Sequence, residues 1–133
     1  RVLFRSTGWP DWIRVHPIGQ LSDADAAALI RRDGIDVLAA EGTAVRSAAA
    51  GKVIFAGQGP EEYGLTVIVW HSGRWTTTYS YLSKITVKEG DPVKAGERIG
   101  LIGETGLAEE PQLHFEIRKG SSPVDPLQFL NGA

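Results

Sequence analysis

The sequence predicts a mostly β protein, an antiparallel arrangement of the sandwich or barrel-like kind, with one short N-terminal helix. Two observations carry the β class. From Val45 onward the chain is a series of short runs rich in β-branched and aromatic residues, and clusters of Gly, Pro and Asp separate them. A third observation sets the helix apart: one stretch before these runs has helix-like ends and spacing.

Residues 1–20 read as irregular, with Trp9, Pro10, Trp12 and Pro17 close together, and the aromatics are expected to pack onto the domain. A helix is expected over about 23–32. Ser22 suits its N-cap, Asp23 and Asp25 the positive end of its dipole, Arg31 and Arg32 the negative end, and Gly34 its termination. Leu21, Ala24 and Ala28 recur at helical spacing. Strands are then expected at Lys52–Ala56 between two glycines, at the apolar run Leu65–Trp70, and at Trp75–Leu82, where aromatics alternate with Thr and Ser. A further strand, Ile85–Lys88, follows after a two-residue break. Gly90-Asp91-Pro92 and Ala95-Gly96-Glu97 supply turns, Arg98–Ile102 and Leu113–Arg118 two more strands, and Pro123 and Pro126 end the pattern. The chain divides into an extension over 1–31 and a domain over 32–133, expected to form one globular unit.

At 133 residues the chain can bury a single core, and its 42% apolar and 23% charged content is that of an ordinary globular domain. A net charge of -2 gives no reason to expect nucleic acid or an anionic membrane as partner. No apolar run reaches the roughly 18–20 residues that cross a bilayer. With no Cys there are no disulfides or thiolate metal sites. The opening Arg1-Val2-Leu3 reads as an excerpt from a longer protein.

Three segments, in order, resemble the lysostaphin-type (LytM-like) zinc endopeptidases. Arg32-Asp33-Gly34-Ile35-Asp36 is similar to the family's His-x-Gly-Ile-Asp, and is followed by small residues leading into a strand. Tyr79-Ser80-Tyr81-Leu82-Ser83 is similar to Tyr-Ala-His-Leu-Ser, and Gln112-Leu113-His114-Phe115-Glu116-Ile117-Arg118 to His-Leu-His-Phe-Glu-Ile-Arg. The hairpin Val87–Gly96, the run Gly100–Gly106 and the closing Val124-Asp125-Pro126-Leu127 extend the likeness over about residues 32–130. The hairpin alone also resembles lipoyl and biotinyl carriers. No lysine here stands in their setting and the chain has no Met, so it reads as scaffold. The family resemblance implies the lysostaphin-type (duplicated hybrid motif) fold, with a groove whose floor would hold zinc.

The departures from the family pattern matter most. By resemblance, zinc is held by a His and an Asp of the first motif and the second His of His-x-His. Asp36 and His114 remain, but the first ligand position is Arg32, whose guanidinium is always charged and has no lone pair to offer. Catalytic zinc needs about three protein ligands and an open position. The two other family histidines, which polarise the peptide and move protons, are Tyr81 and Gln112 here. An amide does not titrate, and an unperturbed Tyr titrates near ~10. The expectation is therefore no catalytic residues, no zinc, and a degenerate metallopeptidase that is not an enzyme.

Plainer readings exist for each residue. Asp36 could be a turn-capping carboxylate paired with Arg32 or another cation, and His114 a hydrogen-bonded groove residue. His71, at a strand end, reads as structural, while His16 is a remote candidate for the missing ligand. Degenerate domains of the EnvC, NlpD and DipM type bind and switch on cell-wall amidases during cell separation. The resemblance thus implies a binding groove made of Arg32, Asp36, Tyr81, Gln112, His114 and Arg118, with a murein hydrolase such as an amidase as partner, in the periplasm or elsewhere in the cell envelope. The stretch 21–31 would be a wall, a lid or simple cover for that groove. A peptidoglycan-binding module and an endopeptidase with a non-standard metal shell are the alternatives.

Overall fold

The computed structural model describes residues 2–3, 17–18, 27–30 and 33–124, with backbone alone for 2–3 and 27–30. Its elements are the strands β1 (Val2–Leu3), β2 (Ala27–Ile30), β3 (Ile35–Leu38), β4 (Ala44–Arg46), β5 (Gly51–Gln58), β6 (Leu65–Ser72), β7 (Trp75–Ile85), β8 (Pro92–Val93), β9 (Arg98–Ile102), β10 (Gln112–Lys119) and β11 (Ser122–Pro123). All pairings are antiparallel, and the main sheet runs β1-β2-β3-β10-β7-β6-β5-β8, open at both ends. A shorter arm leaves it through β7, whose last residues pair with β9, which pairs in turn with β4. This is the antiparallel β architecture that the short runs and turn signals predict.

One core joins the sheet to the arm. Alternation along the strands turns Ile35, Val37, Val53, Val67, Val69, Tyr79, Leu113, Phe115 and Ile117 into a single cluster with Val45, Ile99 and Ile102 of the arm. The opposite side of β10 is closed as well. From Gln112 to Ile117 every residue is buried, with apolar Leu113, Phe115 and Ile117 alternating with polar Gln112, His114 and Glu116. The polar side is what the rest of the fold has to satisfy.

Two expectations are corrected. The helix over about 23–32 is not formed at its centre: Ala27–Ile30 is a strand, with Ala28, Leu29 and Ile30 opposite Val37, Asp36 and Ile35. Residues 23–26 and 31–32 lie outside the described residues, and no helix occurs among those described. The physical reason is tertiary. A helix of about ten residues is marginal alone, whereas the free edge of β3 offers a ladder for every backbone group. The second correction concerns Trp75–Leu82 and Ile85–Lys88, which are not two strands. One strand runs to Ile85, and Thr86–Lys88 lie beyond it. The backbone turns at Tyr81, at φ 70°, and shifts register between Leu82 and Lys84, so the strand bends into the arm without ending. Trp9 and Trp12 lie outside the described residues.

His71 is structural, as its place at a strand end suggests. Its Nδ1 lies 2.8 Å from the Ala50 carbonyl, which can only accept, so Nδ1 carries a proton. In the neutral ring Nε2 then accepts from Thr77 Oγ1 at 2.7 Å, Thr77 accepts from Tyr79 Oη at 2.8 Å, and Tyr79 accepts from the Ala48 N–H at 2.9 Å. This directed chain ties segment 48–50 to β6 and β7. Burial holds the imidazole below its ordinary pKa, against the opposing pull of the Ala50 carbonyl.

Gly34, within the first motif, is a glycine for space: a Cβ there would lie 2.3 Å from the Phe115 carbonyl oxygen. Gly34→Ala should destabilise the chain by about 1–3 kcal/mol, read as a lower urea midpoint at unchanged slope. For His71, a neutral folded form with a depressed pKa means stability that is present above the unfolded value of about 6.5 and lost as pH falls through the folded pKa. The stability advantage of the wild type over His71→Asn should therefore be largest above pH 6.5 and shrink toward pH 5. Urea titrations at a series of pH values would show this, and an advantage that grows on acidification would refute the neutral chain.

Candidate functional site

Period two along β10 sets Gln112, His114, Glu116 and Arg118 on one side of the sheet, and the β3 register places Asp36 opposite His114. The His114 ring lies between two carboxylates: Nδ1 is 2.5 Å from Asp36 Oδ1 and Nε2 is 2.7 Å from Glu116 Oε2. The other Glu116 oxygen accepts from Arg118 Nε at 2.7 Å, and Arg118 Nη1 donates to the Ser121 carbonyl at 3.0 Å. Asp36, His114 and Glu116 are all buried. Two carboxylates and two cations so form one line of alternating charge across the floor of the site.

Both ring nitrogens face acceptors, so the arrangement is satisfied when both carry protons. Burial opposes that charge, but the hydrogen bonds to Asp36 and then Glu116, with their Coulomb attraction, outweigh it and push the His114 pKa up to about 9. Glu116 moves the opposite way. Its burial raises its pKa, but the hydrogen bonds from His114 and Arg118 hold it below the ordinary carboxylate range.

Two tyrosines flank the imidazolium. Tyr63 stacks on it with ring centroids 5.6 Å apart and planes at 19°, and Tyr81 meets it at 5.5 Å and 43°. Tyr63 comes from the turn at Pro60–Gly64, closed by its N–H on the Pro60 carbonyl, and its own carbonyl accepts the Tyr81 N–H at 2.9 Å. That bond anchors the left-handed residue 81. Burial first, then the negative charge of Glu116 and Asp33, pushes the Tyr63 phenol further above its usual pKa.

Of the six residues expected to form a groove, the structure brings Asp36, Tyr81, Gln112, His114 and Arg118 together on one side of the sheet, while the sixth, Arg32, lies outside the described residues, as does the remote ligand candidate His16. Asp36 sits within β3 and pairs with a cation other than Arg32, His114, which fits the plainer reading of a paired carboxylate though not that of a turn cap. Glu116 and Tyr63 were not among the expected residues. Glu116 was available from the two-residue period that selects His114, whereas nothing local marks Tyr63, which reaches the site through the long-range contact with β7.

The donors that remain do not fit a zinc shell in this arrangement. Asp36 and His114, which the resemblance implies as ligands, bind each other, and an imidazole with carboxylates at both nitrogens turns no lone pair to a cation. Among the described residues no group of three His, Cys, Asp or Glu is placed to hold a metal.

The sequence profile of Peptidase family M23 matches residues 31–126. The cell division protein DipM of Caulobacter vibrioides is 42% identical over 106 residues, which is 75% of this chain and 17% of that protein. The murein hydrolase activator NlpD of Escherichia coli is 36% identical over 97 residues, 73% of this chain and 25% of that protein. The chain thus spans a quarter or less of either relative's length. Among solved structures, the catalytic domain of the antimicrobial peptidase lysostaphin from Staphylococcus simulans superposes with a TM-score of 0.70 at 35% identity, over 76% of this chain and 80% of that one. The strand order, the ordered motifs and the profile agree, and the chain belongs to peptidase family M23.

Proposed function

We propose that this chain is a non-catalytic member of the family, a domain that binds and activates a murein hydrolase of the cell-wall amidase class during cell division or cell separation. The observation that carries the reading is the closed ion-pair line. His114, which the family would use on zinc, is held between Asp36 and Glu116 as a hydrogen-bonded cation. A group locked in this way supplies shape and fixed polarity but no Lewis acid and no mobile proton. The names of the relatives, a cell division protein and a murein hydrolase activator, support the same reading, and lipoproteins among the other relatives support work at the cell envelope. On this reading the part-exposed Arg118 and Tyr63 offer the partner a cation and an aromatic face, while buried Asp36, Tyr81 and His114 hold them in place.

The purified chain should hold no stoichiometric zinc, release no dye from labelled sacculi, and raise the activity of a purified cell-wall amidase from the same bacterium. Plasma mass spectrometry and dye release with and without the amidase test all three. One zinc per chain together with hydrolysis in its absence would sink the proposal. Arg32→His alone should leave hydrolysis undetectable, because groups that act as a unit are strongly non-additive and positions 81 and 112 would still lack His. Turnover by that single variant would show that the catalytic positions are wrongly assigned.

A further inference from the structure

A net charge of -2 conceals an uneven distribution. Where β6 turns into β7 and β10 into β11, exposed cations line up with an exposed aromatic. Lys52 lies opposite Trp70 in the β5–β6 register, and Trp70 Nε1 donates to the Gly73 carbonyl at 2.9 Å, in the turn that also holds Arg74. The Arg74 carbonyl accepts the Gly120 N–H at 2.7 Å, and its guanidinium lies over Gly120, where a side chain would leave it no room. Lys119 follows, its ammonium 5.6 Å from the centre of the Trp75 ring. Lys52, Arg74 and Lys119 are all exposed, and among the described residues none of them is in an ion pair. No acid opposes them locally. β5, β6, β7, β11 and the two turns contain no Asp or Glu, and Glu116 of β10 is buried and paired. Asp91, beyond the Lys52 edge, caps the Lys88 N–H.

Trp70 gives this strip its second character. It is 41% exposed, more than any other aromatic side chain among the described residues. Its one polar atom is used on Gly73, so the indole is held in one orientation and offers only its ring face. A ring fixed beforehand loses little freedom on binding. The strip is also separate from the groove. Thr76 joins Trp70 to Arg118 in register, four residues along β10 from His114 and two strands across, about 15 Å by ordinary strand spacing.

The ligand has to match one aromatic face and several unpaired cations. A stable protein interface covers about 800 Å² on each side with several apolar anchors, and a single indole does not supply them. A membrane surface is matched by an amphipathic element with a broad apolar face, which this strip also lacks. An acidic saccharide fits both features. The C–H face of a pyranose ring stacks on the electron-rich face of an indole, and carboxylates along the chain meet the ammonium and guanidinium groups. Wall glycan acquires such carboxylates when an amidase hydrolyses the bond between the sugar's lactyl group and the stem peptide, since water adds across the amide and leaves the acid on the sugar.

We propose that Lys52, Trp70, Arg74 and Lys119 form a docking surface for wall glycan strands that bear free carboxylates. The proposal goes beyond the activator reading and rests on it only for the source of those carboxylates. Glycan strands stripped of their peptides by a purified amidase should bind the chain, in a calorimeter, more tightly than intact sacculi do by cosedimentation, and added salt should weaken the binding. Trp70→Thr should lower affinity for stripped strands by about tenfold. Lys52→Gln combined with Lys119→Gln should lower it similarly and remove most of the salt dependence. The charge variant disturbs no core contact, so it decides the matter if Trp70→Thr proves to melt early. Calorimetric affinity for the amidase itself should stay at the wild-type value in both variants, and phosphatidylglycerol vesicles should not bind. Wild-type chain that ignores stripped strands, or variants that bind them as wild type does, overturn the proposal and leave the activator reading intact. Equal binding to intact and stripped wall shows that no carboxylate is read and overturns it too. Vesicle binding lost in the variants assigns the strip to a lipid surface, and amidase affinity lost in them assigns it to the protein partner; either outcome overturns the proposal.

Discussion

The imidazolium of His114, bonded on one side to Asp36 and on the other to Glu116, is the interaction on which the rest of the site depends. Two buried carboxylates on adjacent strands would repel each other and draw in water or metal, and a buried imidazolium alone would lose its proton. Together, and with Arg118 on the far oxygen of Glu116, they balance. Buried ion pairs of this kind add little net stability relative to apolar packing, but breaking one by removing a partner is strongly unfavourable. The line of charge therefore acts chiefly as a register lock. It is satisfied only when β3 and β10 pair with Asp36 opposite His114, and a slip of one residue would turn one of the two toward the apolar core and leave the other unpaired. Tyr63 and Tyr81 close over the same ring, so the turn at Pro60–Gly64 and the bend in β7 are also referred to it.

Much of this was legible in the sequence, for identifiable reasons. The strands β5, β6, β9 and β10 were readable because each is a short run of β-branched or aromatic residues between turn formers. Asp36, Tyr81, Gln112 and His114 were readable because they sit inside motifs whose order is specific. What escaped was set by distant parts of the chain. Ala27–Ile30 carries local helix signals, but an edge strand 35–38 makes it a strand, and no window over residues 21–32 contains that information. Tyr63 occupies a turn with no chemical signature, and only its carbonyl bond to Tyr81 brings it to the site. The mutual engagement of Asp36 and His114 could not be read either. The resemblance implies both residues as ligands, but the partner each takes is set by the register of β3 on β10, which no local motif contains.

The order in which the sheet is threaded has a consequence for how the protein is made. β10 is the second-last strand among the described residues, yet it lies in the interior of the sheet, between β3 and β7, and carries Gln112, His114, Glu116 and Arg118. Everything translated before it can form only two separate edges, one ending at β3 and the other at β7. The gap between them closes when β10 arrives and slides in as a keystone. Pairing across some eighty residues carries a large loop-closure entropy and is slow by its nature. It also makes the site an indicator of completeness: a chain cut short before β10 lacks Gln112, His114, Glu116 and Arg118 together, and so presents no part of the line of charge.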